Sequence, residues 1–106
     1  MEFQDLKSFI EAENERLREQ YTEVSEQQNV LVQTVKISEE LGELCDEVLA
    51  HDSLQRTEKL DEFENGNIES EFADVIITTL LLADSIGVDI ESALEQKIEN
   101  IERRHD

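Results

Sequence analysis

Not one proline interrupts this chain of 106 residues, and glycine occurs only three times. Proline removes a backbone donor and clashes inside a helix, and an interior glycine costs about 1 kcal/mol relative to alanine. A sequence nearly free of both can sustain long helices, and the expected class is all-α. The periodicity agrees. Phe3, Leu6, Phe9, Ile10, Leu17 and Tyr21 recur at helical spacing and predict an amphipathic helix to about residue 22. Leu31, Val32, Val35, Leu41, Leu44, Cys45, Val48 and Leu49 mark a second, long helix that meets no breaker before His51-Asp52-Ser53. Residues 52–67 are polar, end in the turn signal Asn65-Gly66-Asn67 and read as a mobile connection, although residues 54–63 can form a short extra helix capped by Asp52 or Ser53. A third helix is expected from Ile68 to Ile86 with Gly87 as C-cap, and Asp89 can cap a fourth that ends near Arg104. No repeat or linker divides residues 1–106, so one domain is expected. A domain this small buries only about two-thirds of its unfolded surface, which points to a core completed by another subunit.

The formal charge of −19, from 28 acidic against 9 basic residues, repels nucleic acid and anionic membrane surfaces. It suits a solvated surface or a protein that gathers divalent cations for anionic substrates. Cys45 is the only cysteine, so no intrachain disulfide can form; its place in the apolar pattern predicts a buried thiol and is compatible with a reducing cytoplasm. The longest run nearly free of polar groups, Val75 to Ala83, is too short to span a bilayer, and the acidic N-terminus lacks the marks of a signal peptide. The reading is a cytoplasmic protein.

Within Phe72 to Ala83 the only charge is Asp74, on a segment apolar around nearly its whole circumference, which predicts a buried helix. At 100° per residue, Glu71, Asp74, Thr78 and Ser85 fall within one arc of about 60°. On the second helix Lys36, Glu40, Glu43 and Glu47 share a similar arc beside the stripe of Ile37, Leu41, Leu44 and Val48. If the arcs face each other, four carboxylates converge, and like charges about 4 Å apart cost about 1 kcal/mol per pair even in water. Protonation or a metal must relieve that. Oxygen ligands without cysteine or nearby histidine select Mg²⁺, Mn²⁺ or Ca²⁺ over zinc or copper, and Mg²⁺ is the expected ion, with Mn²⁺ as a substitute. Taken alone, Glu39, Glu40 and Glu43 describe a solvated helix face as well as a site, and Glu71 also suits a helix N-terminus; Asp74, deeper in the apolar run, is the residue these readings explain poorly.

The fourth helix is expected to bury Ile90, Ala93, Leu94, Ile98 and Ile101, with Lys97 inside the stripe, Asn100 beside it and Arg104 on the same face. Lys97 and Arg104 can neutralise triphosphate oxygens opposite a metal, or lay their stems along apolar surface and reach water.

Glu39-Glu40-Leu41-Gly42-Glu43, followed after 27 residues by Glu71-Phe72-Ala73-Asp74, resembles the EExxE and ExxD signature of the MazG-like nucleotide pyrophosphohydrolases. Lys36 to Leu44 is similar to that family's second helix, and Leu82 to Leu94 resembles its third-to-fourth helix junction. The resemblance covers roughly residues 30–104. It implies a four-to-five-helix bundle completed by oligomerisation, and Mg²⁺ held by Glu40, Glu43, Glu71 and Asp74. It further implies that Glu39 orients or deprotonates the attacking water or helps bind a further metal, and that Lys97, Asn100 and Arg104 contact the nucleotide. The implied reaction converts a (deoxy)nucleoside triphosphate to the monophosphate and pyrophosphate, as house-cleaning of the nucleotide pool by a homodimer or tetramer. Asn29, Gln33 and the first helix are candidates to line a base pocket.

Three other readings compete. Phosphoribosyl-ATP pyrophosphohydrolase chemistry would use the same carboxylates. A di-iron carboxylate bundle needs Glu-x-x-His pairs on two helices, and Glu102 to His105 is the single match. A non-catalytic helical module would leave the acidic stripes merely solvated.

Overall fold

In a computed structural model, residues 1–51 and 67–105 are described. They form four helices and no strand: α1 (Phe3–Gln20), α2 (Glu26–His51), α3 (Ile68–Ser85) and α4 (Ile90–Arg103). The all-α expectation is met, and the proposed extra helix within residues 54–63 lies outside the described residues. The boundaries follow local chemistry. At the head of α1 the backbone N–H of Glu2 donates to Asp5 Oδ2 at 2.9 Å. At the head of α2, Ser25 and Gln28 form a reciprocal box: Gln28 N–H donates to Ser25 Oγ at 3.1 Å and Ser25 N–H to Gln28 Oε1 at 3.2 Å. Asn67 caps α3 by accepting from Ser70 N–H, and Asp89 caps α4 by accepting from Ser92 N–H. Those bonds to Ser92 hold the Asp89 carboxyl below its ordinary pKa. Gly87, with φ of 76°, ends α3: its N–H donates to Asp84 O and Val88 N–H to Ala83 O, the paired bonds of a Schellman turn.

The α3 helix is the spine, packed along α2 and more lightly against α1, while α4 packs comparably on none of the other three. The core is small: Ile10, Leu44, Ala50 and Ala83 are the buried apolar residues described, matched by four buried polar ones, Asn14, Gln33, Glu40 and Thr78. Two expectations fail here. Cys45 is exposed, because it lies on the α2 face turned away from α3. The α4 stripe is not buried: apart from the half-buried Ile90 its residues are exposed, with Leu94 at 46% and Ile98 at 53%. Amphipathic spacing identifies an apolar stripe but not whether the same chain covers it. The α3 helix is likewise open on one side, at Phe72, Ala73 and Ile76.

Among the described residues no helix is long and apolar enough to cross a membrane.

Candidate metal centre

The face of α2 turned toward α3 carries Gln33, Glu40 and Leu44, all buried. Their spacing of seven and four keeps them on one stripe, so two polar groups enter the helix interface about 10 Å apart along the axis. Each meets a different environment.

At the Gln33 level, Asn14 of α1 is 1% exposed and fully engaged. Its Nδ2 donates to Leu81 O at 3.0 Å and to Asp84 Oδ2 at 2.8 Å, while its Oδ1 accepts from Gln33 Nε2 at 3.0 Å. One amide thereby ties three helices together. A neighbouring cleft of about 190 Å³ lies between the α1–α2 turn and the end of α3, with Arg18, Tyr21, Asn29 and Ser85 among its walls. Ser85 Oγ, like Gln33 Oε1, is buried with no protein partner.

Two turns further on, Glu40 is 8% exposed and stands with Glu43 and Glu71 so that one carboxylate oxygen from each lies within 4.8 Å of the others. Glu71 Oε2 is buried and has no hydrogen-bond partner. Loss of hydration, followed by the charges of Glu43, Asp74, Glu40 and Glu47, raises the Glu71 carboxyl above its ordinary pKa. Lys36 Nζ approaches Glu40 Oε1 at 3.4 Å from the exposed side and offsets only part of the charge. Three oxygen donors, one of them orphaned, suit a hard divalent cation in donor type and spacing.

The other candidates stand outside this cluster of three. Asp74, one turn beyond Glu71, is exposed rather than buried in the helix, yet its charge reaches Glu71. Glu39 is exposed and lines a groove on the outer side of α2 with Leu31, Val32, Val35 and Lys36. Lys97, Asn100 and Arg104 are exposed on or at the end of α4, which has no extensive packing on α2 or α3, and no hydrogen bond or ion pair joins them to the cluster. Of the base-pocket candidates, Asn29 lines the cleft and Gln33 is enclosed beside it. The role of Asn14 was not anticipated; its signal was the spacing Ile10, Asn14, Leu17, Tyr21, an amide on the apolar stripe of α1.

An all-α scaffold that brings carboxylates from two helices into one partly buried cluster defines the class to which the chain is compared: helical proteins with a candidate site for a divalent cation. Residues 31–106 match the MazG-like family, and the chain belongs to that family. No curated protein and no solved structure matches it. Membership points to nucleotide pyrophosphohydrolase chemistry, and the acidic cluster agrees with the divalent-cation dependence general in the family.

Proposed function

We propose that this protein is a Mg²⁺-dependent nucleoside triphosphate pyrophosphohydrolase, cleaving the α–β phosphoanhydride of a (d)NTP to (d)NMP and pyrophosphate in cytoplasmic nucleotide house-cleaning. The observation that carries the reading is Glu71: a half-buried carboxylate with one enclosed, unpartnered oxygen, beside Glu40 and Glu43, on the paired motifs of a MazG-like chain.

Glu40, Glu43, Glu71 and Asp74 are the residues to hold the ion, with Mn²⁺ an accepted substitute. Bound there, Mg²⁺ neutralises charge on the phosphoryl oxygens and lowers the pKa of water. Glu40, already buried, fixes the donor geometry, and Lys36 yields its partner when the cluster is neutralised. Glu39, the neighbouring carboxylate outside the cluster, takes the proton of the attacking water or orients it. Lys97, Asn100 and Arg104 supply donors to phosphate oxygens once α4 is brought to a site. The cleft beside Asn29 lies on the same side of α2; Val30 on its wall is about 15 Å along the axis from Glu40, a separation that an extended nucleotide and the reach of a glutamate side chain can bridge. It is the proposed seat of base and sugar.

The test is pyrophosphate release from a panel of canonical and modified NTPs and dNTPs, with Mg²⁺ and with EDTA. Metal-dependent release with NMP as co-product supports the reading. Release from phosphoribosyl-ATP alone replaces the substrate, and silence on every substrate overturns the enzyme.

A further inference from the structure

Polar side chains follow one another in a set order along one side of α2. At 100° per residue, Asn29, Lys36, Glu40 and Glu43 fall within one arc of about 60°, with Gln33 at its edge. Asn29 is on the wall of the cleft, and Glu40 and Glu43 belong to the carboxylate cluster. Lys36 stands between them, about 10 Å along the axis from Asn29 and about 6 Å from Glu40. An amide, an ammonium and a set of carboxylates therefore run from cleft to cluster, and a ligand with its base in the first and its phosphates at the last passes Lys36.

Lys36 is also placed for the phosphate under attack. Its neighbours on the next turn are Glu40, four residues on and in the cluster, and Glu39, three residues on and in the same outer groove. The phosphorus atom attacked must lie within reach of a cation at Glu40 and of water held by Glu39. Lys36 is adjacent to both.

The remaining basic residues described are engaged elsewhere. Arg16, Arg18 and Arg103 pair with Glu13, Glu15 and Glu99 on their own helices. Lys7 lines a different pocket, with Asp84, Asp89 and Glu91. Lys97 and Arg104 sit on or at the end of α4 with no bond to the cluster. Among the described residues only Lys36 pairs with a cluster carboxylate.

That pairing is a weak tether. The Nζ to Oε1 separation is 3.4 Å, the Lys36 side chain is 55% exposed, and lysine precedes glutamate, the less favourable order for an i, i+4 pair. The ammonium competes with any divalent cation for the same Glu40 oxygens, and its flexible four-carbon stem can turn it toward solvent, the side from which phosphates arrive. In a chain of net charge −19, a triphosphate must meet positive charge besides the metal.

We propose that Lys36 is a phosphate-binding residue of this site: with the cluster loaded, its ammonium leaves Glu40 and donates to a non-bridging oxygen of the phosphate nearest the sugar. The role rests on the pyrophosphohydrolase reading above and adds to it the residue that holds substrate between cleft and cluster.

Lys36→Met, which keeps most of the stem and removes the charge at an exposed position, tests it, with circular dichroism to check the helices. Its kcat/KM is expected to fall about 10- to 100-fold, the loss of one charge-assisted hydrogen bond, and Lys36→Arg to recover part of that. Calorimetry in Mg²⁺ with dAMP, dGMP, dCMP and dTMP should show monophosphate affinity lowered about 10-fold in Lys36→Met, and that of pyrophosphate nearly unchanged. Mn²⁺ without nucleotide, followed by electron paramagnetic resonance, should be held at least as tightly as by the wild type, because a competitor for Glu40 is gone. Mn²⁺ binding that weakens in step with activity would make Lys36 a tether that shapes Glu40, and overturns the role. Wild-type kcat/KM and monophosphate affinity in Lys36→Met overturn it as well, and leave the pyrophosphohydrolase reading standing. In a wild type that is inactive yet binds monophosphate, that reading fails and the two affinities alone decide the role of Lys36. A wild type that neither turns over any substrate nor binds monophosphate overturns both.

Discussion

Two polar groups enter the same helix interface, two turns apart on α2, and they end differently. Gln33 meets an amide: Asn14 accepts its hydrogen bond and passes two more to Leu81 and Asp84. Glu40 meets its own kind, with Glu43 and Glu71 within 4.8 Å and a Glu71 oxygen left unpartnered. Satisfied buried polar groups fix a unique packing, whereas like charges left together oppose the fold unless something else binds them. The first arrangement closes on the Asn14 amide, with Gln33 Oε1 the one atom of it left without a protein partner. The second gathers like charges against the Lys36 ammonium alone among the described residues, and that difference marks it as the candidate for an ion from outside.

Substitutions on each side should diverge accordingly. The largest effect is expected at the acidic level: with Glu40 and Asp74 as the proposed ligands, Glu40→Gln or Asp74→Asn should remove several kcal/mol of transition-state stabilisation, so that turnover falls about 1,000-fold or more while the helical circular dichroism is unchanged. Full Mg²⁺-dependent activity in both variants would erase the contrast. At the amide level the loss moves to stability: Asn14→Ala leaves Gln33 and Asp84 without their donor or acceptor and should cost about 3 kcal/mol in urea unfolding. Metal dependence of the reaction should persist below its melting temperature.

The next effect compares the two levels in the absence of metal. Glu71→Gln removes one of the mutually repelling charges and should raise the melting temperature in EDTA, the opposite sign to Asn14→Ala. Added Mg²⁺ should raise that of the wild type and do little for Glu71→Gln. The smallest effect is on pH dependence. Glu71 titrates above its ordinary range in the folded state, so its contribution to stability is fully present below about pH 4 and is lost as pH rises through the raised value. A metal-free melting series should show a decline with pH that Glu71→Gln makes shallower. Equal slopes would mean that the cluster is not strained by its charge.

Much of this was readable in the sequence because local chemistry decided it. Asn67, Gly87 and Asp89 mark helix ends through bonds to their own neighbours, and the absence of proline left long helices between them. The pairing of Glu40 and Glu43 with Glu71 followed from the two i, i+3 patterns once two helices were set side by side. What periodicity could not supply was direction. It placed Cys45 inside, and assigned a covered stripe to α4, since apolar spacing marks a surface that seeks a partner without saying whether that partner is the same chain. Asn14 escaped for the converse reason: in a helix rich in glutamate and arginine, one more polar residue gives no contrast, even on the apolar stripe.

The Asn14 bonds also bear on the order in which the chain assembles. They join residues 67 and 70 positions apart, whereas α2 and α3 are neighbours in sequence. Contacts that close so large a fraction of the chain form late, after the hairpin they rest on exists. The amide then acts as a latch: its removal should speed unfolding and leave the folding rate nearly untouched, so that what Asn14 sets is the lifetime of the native state rather than the speed of reaching it.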